Sequence, residues 1–475
     1  MSDLTTDHGG NVTVSPSANP PLRVSTPGCP TSGDPGRGDP YFPGLGNGGY
    51  DAQHYSIVAR VDVADNRLDA HSTMEATATQ DLASFNLDFL GFEIGGVRVN
   101  GEPASFRRDG RELTVTPTGP IRQGADFEVQ VDYRGRPEPY ASPYAPIALG
   151  WNNFGDGSYV MSEPDGAAAW FPVNDHPADK ATYTFKIAVD KPYAVAANGL
   201  LQETRCSLDP ETGVEVTTSI FEARDPMASY LATVHVGEFV QEQSEGPNGL
   251  TIRHYFPVDL ATEASHDFGR TAEMISFLSE KFGPYPFDAY GVVVTGGSLG
   301  GALETQTLST FGEGLVTGDR CHEGYFVHEL AHQWFGNSVS LKHWKDIWLS
   351  EGFASYAEWL WLEKEEGREA LESRVNESYE ALKELEPGPP TADPGPHGLF
   401  GYNVYVRGAV TLHALRRTVG DDTFFHILRA YSTRFRHRNA STEDFQHVAE
   451  EVSGLDLRTF FDAWVRCRAL PKLPH

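Results

Sequence analysis

The sequence is short of cysteine and of positive charge, and it has no long apolar run. Four cysteines in 475 residues (Cys29, Cys206, Cys321 and Cys467) are widely scattered, which excludes a disulfide framework and a cysteine-type zinc site. Cys321, seven residues before His328, is expected to be a buried or inert thiol rather than a ligand. Only 37 Lys and Arg stand against 66 Asp and Glu, for a formal net charge of -29. Such an acidic chain does not suit nucleic acid or an anionic membrane as partner. No segment is long and apolar enough to span a bilayer. The start, "MSDLTTDHGGNVTVSPSANPP", lacks the basic residues and apolar core of a signal peptide. The expectation is a cytoplasmic chain, with secretion as the alternative. No repeat of fixed period is visible.

What the chain does have is length and aromatic residues. At 475 residues two or three domains are expected, and 27 Phe, 19 Tyr and 8 Trp supply cores for them. Residues 1–40 are rich in Pro, Gly, Ser and Thr, and read as a disordered or loosely draped tail. From 41 to 243 the strand period dominates. "HYSIVARVDVA", "DFEVQVDYRG", "ATYTFKIAVD" and "EVTTSIFEARD" alternate or are β-branched, between Gly, Pro and Asp turns. This predicts an all-β, antiparallel domain shaped as a saddle or sandwich. From 244 to 475 the pattern turns mainly helical, giving a multidomain α+β chain. "HEGYFVHELAHQWFGN" reads as one helix, and "SEGFASYAEWLWLEKEEG" as another with Ser350 as N-cap and Gly367 as stop.

The first of those helices carries "VHELAHQWFGN". Residues four apart share a helix face, so His328 and His332 can address one metal ion, with Glu329 beside them as a general base. Zinc prefers N and O ligands, and a catalytic site keeps one position open. Glu351 follows His332 after eighteen intervening residues, enough for a helix end, a turn and a return. It is the candidate third ligand, or else an acidic residue placed by the helix dipole. Glu358, further along that helix, is either a hydrogen-bond acceptor for a ligand imidazole or a solvated surface glutamate.

With these residues on the page, "HELAHQWFGN…WLSEGFASYAE" resembles the M1 family of zinc aminopeptidases, the gluzincins. "FGPYPFDAYGVVV", "GGALETQ", "VYVRGA" and "SEPDGAAAWFPVNDHPADKATYTF" resemble further family segments, in the right order. The resemblance implies a thermolysin-like catalytic domain behind the β domain, with one zinc ion on His328, His332 and Glu351. It implies Glu329 as general base and Tyr405 as hydrogen-bond donor to the oxyanion. Glu304 and Glu163 would bind the substrate's free ammonium, with Gly301 and Ala302 of the glycine-rich motif also at the substrate. The implied partners are peptides with a free N-terminus. The chain departs from the pattern at Leu303 and Thr305, where Met and Asn are usual beside the Glu, and at Arg407, where Lys is common; the Arg is expected to change little. Larger relatives carry a further helical C-terminal domain, and this chain stops at His475, so a more open site is expected. Two rival functions are a non-catalytic interaction scaffold of the same architecture and a zinc endopeptidase. The oligomeric state is not legible.

Overall fold

The strand period reappears as alternating burial. In Tyr50–Asp62 the side chains of Tyr50, Ala52, Tyr55, Ile57, Ala59 and Val61 are buried and those between them are less so. Ala181–Asp190 buries Ala181, Tyr183, Phe185, Ile187 and Val189 in the same way. A strand with one face on a core requires this period of two. The structure, a computed structural model, describes residues 30–474 except Glu211 and Ser298.

These strands belong to an eight-stranded sheet ordered 200–208, 215–227, 181–190, 50–62, 67–78, 126–135, 93–99, 102–103. Its neighbours are antiparallel, as expected, except for one central pair. Ala181–Asp190 runs parallel to Tyr50–Asp62, from Thr182 opposite His54 to Val189 opposite Val61. Parallel neighbours need a long crossover, and the chain from 63 to 180 provides it. A second sheet, ordered 140–141, 148–153, 158–161, 234–237, 194–197, carries Glu163 just beyond the end of Ser158–Met161.

A third sheet, ordered 239–245, 251–257, 289–295, 309–312, 302–303, opens the helical half. Its central strand, Ala289–Thr295, is buried at every position. The change of pattern expected at 243 falls inside Phe239–Glu245, which pairs along its whole length with Thr251–Pro257. We therefore propose that the second domain begins just before Phe239. This half carries the helices Thr271–Phe282, Glu323–Ala331, Trp348–Glu366, Arg368–Glu384, Tyr402–Val419, Asp421–Arg434 and Thr442–Ser453. Gly367, at φ 93°, stops its helix as expected.

Two local expectations need correction. The helix through His328 ends at Ala331 with His332 as its C-cap, rather than running on to Asn337. Ser350 is not an N-cap, because its helix already begins at Trp348.

Part of the expected tail, residues 1–29, lies outside the described residues, but residues 30–40 are tied down. Thr31–Ser32 pairs with the strand Leu82–Asp88. The buried Asp39 carboxylate accepts from the amides of Tyr41 (2.8 Å), Phe42 (3.2 Å) and Trp344 (3.0 Å), and lies 3.3 Å from His176 Nε2. Tyr41 donates its hydroxyl proton to Asp393 and accepts from Gly395 N at 2.9 Å. Trp344, Asp393 and Gly395 all belong to the helical half, so this segment crosses between the domains. Cys321 is exposed rather than buried, and Cys206, Cys321 and Cys467 are all free. Among the described residues no helix is long and apolar enough to cross a membrane.

Candidate metal centre and substrate cleft

His328 occupies the last turn of Glu323–Ala331 and His332 its C-cap. Glu351 sits in the first turn of Trp348–Glu366. All three are buried. Glu351 Oε2 lies 3.2 Å from His328 Nε2 and 3.4 Å from His332 Nε2. Each residue offers a ligand atom within 4.8 Å of the others.

The outer ring nitrogens are engaged elsewhere. His328 Nδ1 meets Glu358 Oε1 at 2.6 Å, which selects the hydrogen-bonding reading of Glu358 over the surface one. His332 Nδ1 meets the Phe335 carbonyl at 3.1 Å and Ser350 Oγ at 3.0 Å. With each Nδ1 engaged on the outer side, both Nε2 atoms face the Glu351 carboxylate. Three potential ligand atoms converging on one buried point fit a cation, and two imidazoles with a carboxylate fit zinc. The local field agrees. Burial alone would lower the pKa of His328, but hydrogen bonds to Glu351 and Glu358 outweigh it and hold the imidazole well above its usual range. Burial would raise Glu351, yet the two histidines bring it down to about 2.

Glu329, between the two histidines in sequence, is buried and lines the same cavity. Burial, with Glu304 and Glu351 adding to it, raises its carboxyl to about 8 against the pull of both histidines. A cation held by the three ligands would draw it back down. Tyr405 lies in the first turn of Tyr402–Val419, its ring stacked on His328 with centroids 5.9 Å apart. Two glycines set how closely its helix approaches the Glu351 helix. A Cβ on Gly352 would stand 2.9 Å from Gly408 Cα, and one on Gly408 would stand 2.8 Å from Gly352 Cα. Larger residues there would push Tyr405 away from the ligands. Burial, reinforced by Glu351, Glu163, Glu304 and Glu329, raises the phenol well above its ordinary value, which keeps it a neutral donor.

Glu163 comes from the β domain and Glu304 from the segment after the edge strand Ala302–Leu303. Both are buried and both line the cavity. Glu163 Oε1 and Glu304 Oε1 have no hydrogen-bond partner. Burial and neighbouring carboxylates raise Glu163 well above its ordinary range, and burial raises Glu304 as well. Glu304, Glu329 and His332 also bring ligand atoms within 4.8 Å of one another, so Glu304 adjoins the metal set. Gly301 and Ala302 line the same cavity, and Ala302–Leu303 pairs antiparallel with Ser309–Gly312.

Sequence reasoning missed the residues that hold Glu304 in place. Its backbone carbonyl accepts from Asn337 Nδ2 at 2.6 Å and from Gln333 Nε2 at 3.1 Å. Gln333 Oε1 in turn accepts from Thr307 N at 2.9 Å. From the β domain, Asn198 Nδ2 donates to the Gln306 carbonyl at 2.7 Å and Gly199 N to Thr307 Oγ1 at 2.8 Å. Gln333 and Asn337 stand in "HQWFGN", directly after the second histidine, so the register between the ligand set and Glu304 is fixed by the motif itself. Their polarity in an apolar stretch was the available signal. Arg407 is also more than a substitute for lysine. It is buried and donates to the carbonyls of Trp464 (3.1 Å), Arg468 (2.7 Å), Cys467 (2.6 Å) and Ala469 (3.0 Å).

Residues 51–231 match the peptidase M1 N-terminal domain and residues 266–464 the peptidase family M1 domain. The fold is similar to a crystal structure of an M1 zinc metallopeptidase from Deinococcus radiodurans, with a TM-score of 0.84 and 33% identity, over 93% of this chain and 99% of that one. A mutant of that protein has been solved bound to a Tyr-Ser-Ala substrate. In sequence the chain is 29% identical to a glutamyl aminopeptidase of Bitis rhinoceros, over 66% of this chain and 34% of that protein. It is 26% identical to aminopeptidase N of Oryctolagus cuniculus, over 80% of this chain and 43% of the relative. The chain thus spans between a third and a half of these two relatives' length.

Proposed function

This chain belongs to peptidase family M1, and from that premise we propose that it is a zinc-dependent aminopeptidase removing the first residue of peptides with a free N-terminus. The observation that carries the reading is the pairing of two features in one cavity: the converging His328, His332 and Glu351, and two buried carboxylates, Glu163 and Glu304, each with an oxygen that lacks a partner. Buried carboxyl oxygens without partners are costly. A substrate ammonium satisfies both, and an internal peptide bond, which carries no such charge, does not.

Zinc held by His328, His332 and Glu351 would supply Lewis-acid polarisation of the scissile carbonyl and a more acidic water. Glu329 takes the proton from the attacking water and delivers it to the departing amine. The Tyr405 hydroxyl donates to the oxyanion as it forms, a task for a preset neutral donor in a site that excludes most water. Glu163 and Glu304 hold the ammonium, one from each domain, which sets the first peptide bond at the reacting groups. Glu358, the Phe335 carbonyl and Ser350 orient the two imidazoles.

The test is hydrolysis of aminoacyl-arylamides, free and N-acetylated, with and without chelator and added zinc. Chelator-sensitive cleavage of the free amines alone is expected. Equal cleavage of acetylated substrates would favour an endopeptidase, and zinc binding at one per chain with no cleavage would favour a scaffold.

A further inference from the structure

Thr305 follows Glu304 directly and stands where the family pattern usually has Asn. Its hydroxyl enters a fully buried row of polar groups that crosses to the sheet carrying Glu163. Thr305 Oγ1 lies 3.1 Å from Thr310 Oγ1, and Thr310 Oγ1 lies 3.0 Å from His235 Nε2. His235 Nε2 also lies 3.0 Å from Thr233 Oγ1. Thr233 in turn donates its hydroxyl to the carbonyl of Val160 at 2.8 Å, in the strand Ser158–Met161 that leads to Glu163. The Thr233 amide donates to Asn198 Oδ1 at 2.6 Å, which ties the row to the Asn198 bond with Gln306. Glu304 and Glu163 thus hang from the two ends of one row, with His235 at its centre.

The direction of each bond follows from a count of protons, since a hydroxyl has only one to give. Thr305 donates its proton to the Leu308 carbonyl, so the proton between Thr305 and Thr310 belongs to Thr310. Thr233 gives its own to Val160. Neither Thr310 nor Thr233 has a proton left for the imidazole, so His235 presents Nε2–H to both hydroxyl oxygens. Its Nδ1 is left without a partner. Burial pushes the imidazole down to about 3, so the ring is neutral at pH 7 and the order of the row holds there.

Building on the aminopeptidase reading, we propose that His235 is a positioning residue for the amine site: it fixes the distance between Glu304 and Glu163, and with it the grip on the substrate ammonium. His235 acts through the two ends of its row. Short side chains in a close-packed interior have little room to adjust. Removing the central donor leaves two buried hydroxyl oxygens short of a hydrogen bond, and the segments that carry the two carboxylates are then free to shift apart. The threonine at 305 is what lets the row reach Glu304.

The experiment measures kcat and KM for leucyl-arylamide on the zinc-loaded full chain and on His235→Leu, His235→Gln, Thr310→Val and the double variant His235→Leu/Thr310→Val. Calorimetry of L-leucine binding is the readout independent of turnover. His235→Leu should raise KM about fivefold, the contribution of one neutral hydrogen bond, with kcat within about twofold and L-leucine binding weakened by a similar factor. Thr310→Val keeps the shape of the side chain, removes the hydroxyl and should do the same. Both changes cut one row, so the double variant should be no worse than about twofold beyond either single one. His235→Gln restores a donor and should bring KM back to within about twofold of the wild type. An unchanged KM in folded His235→Leu, even with a lower melting temperature, would overturn the inference and leave the aminopeptidase reading standing. So would a fall in kcat at unchanged KM, or single effects that multiply in the double variant. If His235→Leu does not fold, Thr310→Val decides, and an unchanged KM there overturns the inference. Failure of the wild type to cleave any free-amine substrate would sink the aminopeptidase reading and the inference together.

Discussion

Replacing Glu358 by alanine should weaken zinc binding far more than replacing Ser350, although each contacts the outer nitrogen of one histidine. Glu358 Oε1 lies 2.6 Å from His328 Nδ1, and its side chain is 31% exposed. A hydrogen bond to a charged group contributes about 1.5–3 kcal/mol, and partial exposure places this one in the lower half of that range. A loss of about 1.5–2 kcal/mol corresponds to a dissociation constant raised roughly 10- to 30-fold. Alanine is the best helix former, so the helix itself should survive. At His332 the Ser350 hydroxyl shares Nδ1 with the Phe335 carbonyl. Ser350→Ala leaves that carbonyl in place, and a neutral hydrogen bond of this kind contributes only about 0.5–1 kcal/mol, a less than about fivefold effect. Competition with a chromophoric chelator measures both constants, and circular dichroism checks that the variants remain folded. A change under twofold in Glu358→Ala, or a larger loss in Ser350→Ala, would refute the reasoning.

Two further outcomes concern positioning. Asn337→Ala removes one of two amide donors to the Glu304 carbonyl. It should raise KM for free-amine arylamides about fivefold, corresponding to about 1 kcal/mol, with kcat within about twofold. A fall in kcat at unchanged KM would contradict this. Arg407→Lys cannot reach four divergent carbonyls and should destabilise the chain by about 2 kcal/mol, read as a lower calorimetric melting temperature with zinc stoichiometry unchanged. An unaltered melting temperature would show that lysine serves there equally well.

The parts of the site that follow a local rule were legible in the sequence. The spacing of His328 and His332 needs only the helix period, and the strands of the first domain need only alternation. What escaped depends on tertiary partners. Ser350 looks like a helix cap because serine often is one, but its hydroxyl turns to His332. Residues 30–40 look like a tail because their composition is poor in apolar side chains, yet a short strand pairing and one buried aspartate with three amide partners anchor them. Composition averages over a window and does not register a single well-satisfied carboxylate. The parallel pair in the large sheet was missed for a similar reason, since periodicity reports which face a residue occupies but not the direction of its neighbour. Glu304 and Glu163 came only from resemblance, because no spacing rule links residues that meet across two domains.

The segment from 30 to 49 precedes the first residue of the matched family region, yet it adds a fastening between the two halves to those that Asn198 and Gly199 make with the Glu304 segment. Each fastening at a separate place removes a way in which one body can turn against the other. Because Glu163 and Glu304 sit on opposite bodies, the width of the gap between them depends on all of these fastenings together. A fragment begun at residue 51 would retain every side chain of the cleft and lose one of the constraints that keep its walls in register.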